Sequence, residues 1–141
     1  MNILVTGSNG FIGKNLVAEL KNEGFTDILS FDRETPVHLL DEYCKKTDFV
    51  FHLAGVNRPK DDEEFMKGNF GFTAELLEKL KAHGNTCPVM LSSSIQAELD
   101  NSYGKSKKAG EELLKKYQKE TGAPVYIYRF SNLYGKWSQP N

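Results

Sequence analysis

The most constraining feature of the chain is its opening stretch, Met1-Asn-Ile-Leu-Val-Thr-Gly-Ser-Asn-Gly-Phe-Ile-Gly13. An apolar run, Ile3-Leu4-Val5, ends at Thr6, glycines follow at positions 7, 10 and 13, and an amphipathic stretch runs from Asn15 to Asn22. This pattern reads as a strand, a tight turn and a helix. Each glycine has a physical use there. One at the turn tolerates positive φ, a second lets backbone N–H groups approach a phosphate, and a third lets helix and strand pack closely. The helix N-terminus would then offer unpaired N–H donors and a positive dipole end to an anion. Alone, the spacing suits an ordinary glycine-rich strand–turn–helix equally well, so the remainder of the chain has to decide.

That remainder alternates strands and helices. Asp27–Phe31 is expected as a strand ending at Asp32-Arg33, and Gly24 as the C-cap of the helix before it. Residues 36–46 open with Pro36 and close on Lys45-Lys46, the polarity of a helix. Phe49–Ala54 is a nearly continuous apolar strand, as expected of one covered on both faces. A long helix is expected over Asp61–His83, with Phe65, Phe72, Leu76 and Leu80 on one face. A buried strand at Pro88–Leu91, a helix over Tyr103–Thr121 and a fifth strand, Val125–Phe130, complete the series. The alternation argues an α/β domain with a parallel, doubly wound sheet and right-handed crossovers. The short span from Arg33 to Val50 admits one helix and no extra strand pair, so the expected spatial order is 2-1-3-4-5.

At 141 residues this is expected to be one domain. A formal net charge of −1 provides no overall field to favour nucleic acid or a membrane surface. Cys44 and Cys87 lack metal-ligand spacing and read as reduced thiols, and no His cluster suits zinc. No apolar run nears the roughly 20 residues of a membrane helix, and no leader pattern precedes the first strand. A cytoplasmic location is the expectation.

In a sheet of this order, ligands bind outside the carboxyl ends of the strands, at the switch point between strands 1 and 3. Polar residues of this chain gather at those ends: Thr6–Gly13, Asp32-Arg33, Ala54–Arg58, Ser92–Ser94 and Arg129–Asn132. Asp32 is placed to accept hydrogen bonds from an adenosine ribose, while Arg33 beside it could instead pair with a 2′-phosphate. For Arg33 alone, a solvated ion pair is an equal reading. Tyr103 and Lys107 share a helix face at i and i+4. An ammonium there favours the phenolate and draws the tyrosine toward working pH, where proton transfer is most efficient. Ser94 ends the preceding strand and could hydrogen-bond the oxygen that Tyr103 protonates. The alternative is a surface helix in which Lys107 and Lys108 face Glu111 and Glu112.

Together, Thr6-Gly-x-x-Gly10-x-x-Gly13, His52-Leu-Ala-Gly55, Ser92-Ser-Ser94, Tyr103-x-x-x-Lys107 and Arg129-Phe-Ser-Asn132-Leu-Tyr-Gly135 resemble the extended short-chain dehydrogenase/reductases that act on nucleotide sugars. The motifs span almost the whole chain in that family's order. His52–Pro59, Leu91–Ala97 and Val125–Arg129 with Asn132–Trp137 are similar, within it, to bacterial capsular-polysaccharide reductases that carry a C-terminal zinc cupin. The resemblance implies a Rossmann-like fold and a catalytic set of Ser94, Tyr103 and Lys107, with Lys107 also holding the nicotinamide ribose. It assigns Gly7, Asn9, Gly10, Phe11, Ile12 and Gly13 to the pyrophosphate and Asp32 or Arg33 to the adenosine ribose. Leu53, Ala54 and Gly55 would run along the cofactor, with Asn132 and Arg58 at a UDP-sugar. NADPH is the favoured cofactor and NAD the alternative.

The implied reaction is reduction of the C4 ketone of a UDP-2-acetamido-2,6-dideoxy-hexulose on the route to UDP-N-acetyl-L-fucosamine. A UDP-sugar 4-epimerase and a non-catalytic dinucleotide-binding module are the alternatives. A dehydratase is disfavoured, because Ile95 and Gln96 stand where such enzymes carry an Asp-Glu pair. The resemblance also implies that the chain is the N-terminal part of a longer enzyme, with most of the sugar pocket beyond Asn141 and negligible turnover on its own. Helices 61–83 and 103–121 are where such enzymes dimerise, but their apolar residues suit an intramolecular core equally, so a homodimer stays an open expectation.

Overall fold

The computed structural model describes residues 1–53, 70–94 and 102–130, with the side chains of 94, 102–104, 106 and 130 outside that description. The elements in chain order are β1 (Ile3–Thr6), α1 (Phe11–Asn22), β2 (Ile28–Phe31), α2 (Val37–Lys46), β3 (Phe49–His52), α3 (Phe72–Ala82), β4 (Val89–Ser94), α4 (Ser102–Thr121) and β5 (Val125–Phe130). All strand pairs are parallel, in the order β2-β1-β3-β4-β5. The α/β architecture and strand order read from the alternation are those observed. Pro36 sits at the N-cap of α2, and α1, α3 and α4 are each followed by a glycine at positive φ (Gly24, Gly84 and Gly122). The first part of the expected 61–83 helix lies outside the described residues.

Strand register sorts the core by face. Leu4 pairs with Val50, Val50 with Val89 and Val89 with Val125, and this row joins Leu40, Cys44, Leu76, Leu80, Leu114 and Tyr117 in the main buried cluster. Helices α2, α3 and α4 cover that face in sequence, as right-handed crossovers all stepping in one direction require. The β1–α1–β2 unit steps the other way, which carries α1 to the opposite face, over Ile3 and Val5; both are buried but stand outside that cluster. On that second face, the row that continues Val5 through Phe51 and Met90 ends at Tyr126, which is exposed. β3 is therefore fully buried at Val50 and His52 only, while Phe49 and Phe51 stack on each other at 4.7 Å and stay half-buried. The sequence expectation of a strand covered on both faces holds for one face. Leu76, Leu80 and Leu114, apolar residues of the two helices named above for dimerisation, are spent on this internal core.

The strands end unevenly at their carboxyl edge. Thr6 and His52 are paired, His52 aligns with Leu91, and β4 then runs on through Ser92, Ser93 and Ser94 beside Tyr128, Arg129 and Phe130.

Candidate cofactor and catalytic site

β1 leads directly into the glycine loop. Gly7 turns the chain at φ 69°, a conformation that costs a Cβ-bearing residue energy, and its N–H donates to the Phe31 carbonyl at 2.9 Å. Gly13 lies so close to the loop that a Cβ placed there would stand 2.1 Å from the Gly7 carbonyl oxygen and 2.7 Å from Ser8 Cα. Helix α1 can start this near β1 only because position 13 has no side chain. Gly10 caps α1 without a side-chain hydrogen bond, so no side chain competes for the N-terminal N–H groups. The result is a small anion cradle of loop amides at the positive end of a helix, a fit for the pyrophosphate of a dinucleotide.

Asp32, just past β2, closes one side of this cradle. Its carboxylate accepts a hydrogen bond from the Ser8 hydroxyl (2.5 Å) and one from the Asn9 N–H (3.0 Å), while its own N–H donates to Thr35 Oγ1 at 2.9 Å. The residue expected at the ribose thus also pins the loop that would hold the pyrophosphate. Arg33 is exposed and forms no ion pair among the described residues.

On the other side of β1, Leu53 N–H donates to Thr6 Oγ1 at 3.0 Å, which fixes the exit of β3. Thr6 also bonds His52 Nδ1 at 2.7 Å, and His52 Nε2 bonds Thr73 on α3 at 2.9 Å. Burial, reinforced by the positive charge of Lys107, pushes the His52 imidazole down to about 3, so it is neutral at working pH. Lys107 on α4 thus acts electrostatically on the residue that ends β3. Burial also holds Lys107 below the ordinary ammonium value, with Glu111 opposing the shift.

Ser94 closes β4 and Tyr103 lies in the first turn of α4, but only their backbones are among the described residues. Ala54, Gly55, Arg58 and Asn132 lie outside them altogether. The structure therefore brings together the glycine loop, Asp32, Leu53 and Lys107 at one end of the sheet. Among the described residues no group of three His, Cys, Asp or Glu side chains could hold a metal ion, and no helix is long and apolar enough to cross a membrane.

A family profile described as the NAD dependent epimerase/dehydratase family matches residues 3–141. The chain belongs to that family. A curated relative, the UDP-2-acetamido-2,6-beta-L-arabino-hexul-4-ose reductase of Pseudomonas aeruginosa, is 50% identical over 141 residues, which is 100% of this chain and 38% of the relative. The crystal structure of the capsular polysaccharide assembling protein CapF from Staphylococcus aureus superposes with a TM-score of 0.86 at 48% identity, covering 100% of this chain and 38% of that one. The structure of RMD from Pseudomonas aeruginosa complexed with NADPH superposes with a TM-score of 0.73 at 27% identity over 94% of this chain and 55% of that one. The chain thus spans well under half the length of the curated reductase it matches. As a member of the epimerase/dehydratase family it has the NAD(P)-dependent fold implied by its glycine loop.

Three features at this family site escaped the reading of the sequence. Ser8 reads as a loop residue between glycines, yet its hydroxyl donates to Asp32 and holds it. His52 sat inside an apolar strand and gave no sign that it bridges three elements. Glu111 entered only through the alternative of a solvated helix face, whereas it is 2% exposed and bound by Arg129 through two hydrogen bonds, Nε to Oε2 at 2.8 Å and Nη2 to Oε1 at 2.6 Å. The i+4 spacing from Lys107 was its only signal.

Proposed function

We propose that the protein is a cytoplasmic NADPH-dependent reductase of the C4 ketone of a UDP-2-acetamido-2,6-dideoxy-hexulose, acting in capsular or surface polysaccharide precursor synthesis. The observation that carries this reading is the half-buried Lys107, one helical turn past Tyr103 on α4 and electrostatically coupled to His52, the residue that ends β3 beside the glycine-loop strand. The likeness to the curated reductase supports the substrate class, the likeness to CapF supports the polysaccharide context, and a nicotinamide cofactor is supported by the NADPH complex of RMD and the NAD complex of MoeE5. Chain 1–141 would supply the cofactor-binding domain.

The loop amides of Gly7–Gly13 would hold the pyrophosphate, Asp32 or Arg33 the adenosine ribose, and Leu53, Ala54 and Gly55 the path toward the nicotinamide. NADPH, when bound, supplies the hydride that reaches C4. Tyr103 then gives its phenolic proton to the ketone oxygen as that oxygen gains charge, and Ser94 orients the same oxygen by hydrogen bonding. Lys107 makes the phenol a better acid–base group and holds the nicotinamide ribose. Asn132 and Arg58 would meet the UDP-sugar. One ketone becomes one alcohol, and one NADPH becomes one NADP⁺.

The test is NADPH oxidation by a protein of the relatives' full length given the UDP-4-hexulose. A reductase consumes one NADPH per alcohol formed, and Tyr103→Phe loses at least about 100-fold in kcat. An epimerase, the rival with the same residues, would interconvert sugars without net NADPH loss, unchanged turnover in Tyr103→Phe would remove the tyrosine from the mechanism, and no turnover of either kind would leave only a dinucleotide-binding module.

A further inference from the structure

An ion pair with a buried carboxylate stands one helical turn behind the lysine of this site. Along α4, Lys107, Glu111 and Leu114 follow the helical spacing that keeps residues on one face, and that face looks into the fold. Glu111 and Leu114 are buried and Lys107 is half-buried, so the core-facing stripe of α4 ends in two charged residues one turn apart. Glu111 is held by the fork of Arg129, which reaches it from β5. Arg129 is aligned with Ser93 on β4, the residue before Ser94.

The burial is one-sided: the Glu111 side chain is 2% exposed and that of Arg129 31%, so the carboxylate is desolvated while the guanidinium stays partly in water, and a partly solvated pair adds little to stability. Fold stability alone is therefore a poor account of it. Its position suggests another. The pair joins α4, which carries Tyr103 and Lys107, to the β4–β5 edge, which carries Ser94.

We propose that Glu111, clamped by Arg129, is a positioning residue for the catalytic centre: it anchors α4 against β4 and β5 and sets a fixed counter-charge one helical turn from the half-buried Lys107. The proposal rests on the role given to Lys107 above.

The electrostatics agree with this geometry. For Glu111, burial opposes ionisation, but the Arg129 bonds outweigh it and hold the carboxyl below its ordinary range. Ser93 lowers it further, although its buried hydroxyl completes no well-formed hydrogen bond among the described residues. Lys107 is pushed down by burial and pulled back up by Glu111. From β3, the neutral His52 faces Lys107, and from β5 the Arg129 charge is spent on Glu111. Glu111 is the anion that acts on Lys107 among the described residues.

The test is a pH titration of Lys107 by NMR in chain 1–141 carrying carbon-labelled lysine, with the signal assigned by its loss in Lys107→Met. Glu111→Gln keeps the side-chain shape and removes the charge, so the Lys107 pKa falls further. Arg129→Gln unmasks the Glu111 charge, so it rises, and Glu111→Asp recovers part of the original value. Loosening of the fold would instead expose Lys107 and raise its pKa in all three variants. An unchanged or raised Lys107 pKa in Glu111→Gln overturns the proposal. Should Glu111→Gln fail to fold, Glu111→Asp decides: its retracted carboxylate leaves the Lys107 pKa below that of the parent, and an unmoved or raised value there overturns the proposal equally. No sugar or cofactor is needed, so a Lys107 that follows Glu111 in a protein unable to oxidise NADPH would sink the reductase reading alone.

Discussion

Gly13 and Gly10 are three residues apart in the same loop and do different work. A methyl group at 13 would meet the backbone of Gly7 and Ser8 well inside van der Waals contact, and neither partner is a flexible side chain that can swing away. A methyl at 10 would find its nearest neighbour at 3.4 Å, and the residue sits at φ −77°, where any side chain is tolerated. Gly13→Ala must therefore push α1 off β1, the cost of overpacking, about 1–3 kcal/mol, while Gly10→Ala loses only N-cap preference, about 0.5 kcal/mol. Urea unfolding of the two variants side by side measures the difference. Equal losses would mean that the close approach of α1 to the loop is not what position 13 protects. Asp32 adds the other half of the argument at this scale. A carboxylate that already accepts hydrogen bonds from Ser8 and Asn9 arrives at the ribose site pre-aimed, and the same bonds limit the shapes the phosphate loop can take.

At the scale of elements, His52 is the joint between β1, β3 and α3, through Thr6 on one side and Thr73 on the other. Its folded-state pKa of about 3 lies below the ordinary 6.5, first because it is buried and then because Lys107 is near. Between those two values the unfolded chain binds a proton at this site and the folded chain does not. Stability is thus complete above the ordinary value and falls as pH drops through the window, by about 2 kcal/mol at pH 5 from this group alone. His52→Gln removes the titration while retaining one polar partner. The variant is expected to be less stable near neutrality but to lose less between about pH 7.5 and about pH 5 than the parent. Parallel pH dependence in the two proteins would show that the folded imidazole takes up its proton as readily as the unfolded one. The elements themselves were readable because apolar periodicity and the glycine and proline punctuation report local preference, and here local preference and fold agree. The joints were not. The i+4 relation of Lys107 and Glu111 is the same on a solvated face and a buried one, and only Arg129, 18 residues further on, makes the second possible. A histidine in a run of Phe, Val and Leu shows burial but not which two hydroxyls will meet it. The glycine loop was legible because its chemistry lies in adjacent residues.

For the whole molecule, the two faces of the sheet differ in how dry they are. The face beneath α2, α3 and α4 is closed, whereas Tyr126 and Tyr128 on the edge strand are 47% and 52% exposed. Both cysteines belong to the closed side. Cys44 is part of the main cluster and Cys87 packs against it, with Asn85 bonding the Cys44 carbonyl at 2.8 Å and accepting from the Cys87 N–H at 3.0 Å. Burial pushes the Cys44 thiol up to about 12 and the Cys87 thiol up to about 11. Only the thiolate reacts with an alkylating agent, so at mildly alkaline pH the folded chain should be modified on the order of 100-fold more slowly than an unstructured thiol. Cys44, fully enclosed, has no local opening that frees it without separating α2 from the sheet, so its rate should track global unfolding and rise steeply with urea. Cys87 is half-buried and should react first and depend less on denaturant. Mass spectrometry of an iodoacetamide time course at several urea concentrations separates the two sites. If Cys44 were labelled as fast as Cys87 in the absence of urea, the α2 side of the sheet would be opening on its own, and the fold would have to be described as two stability units rather than one.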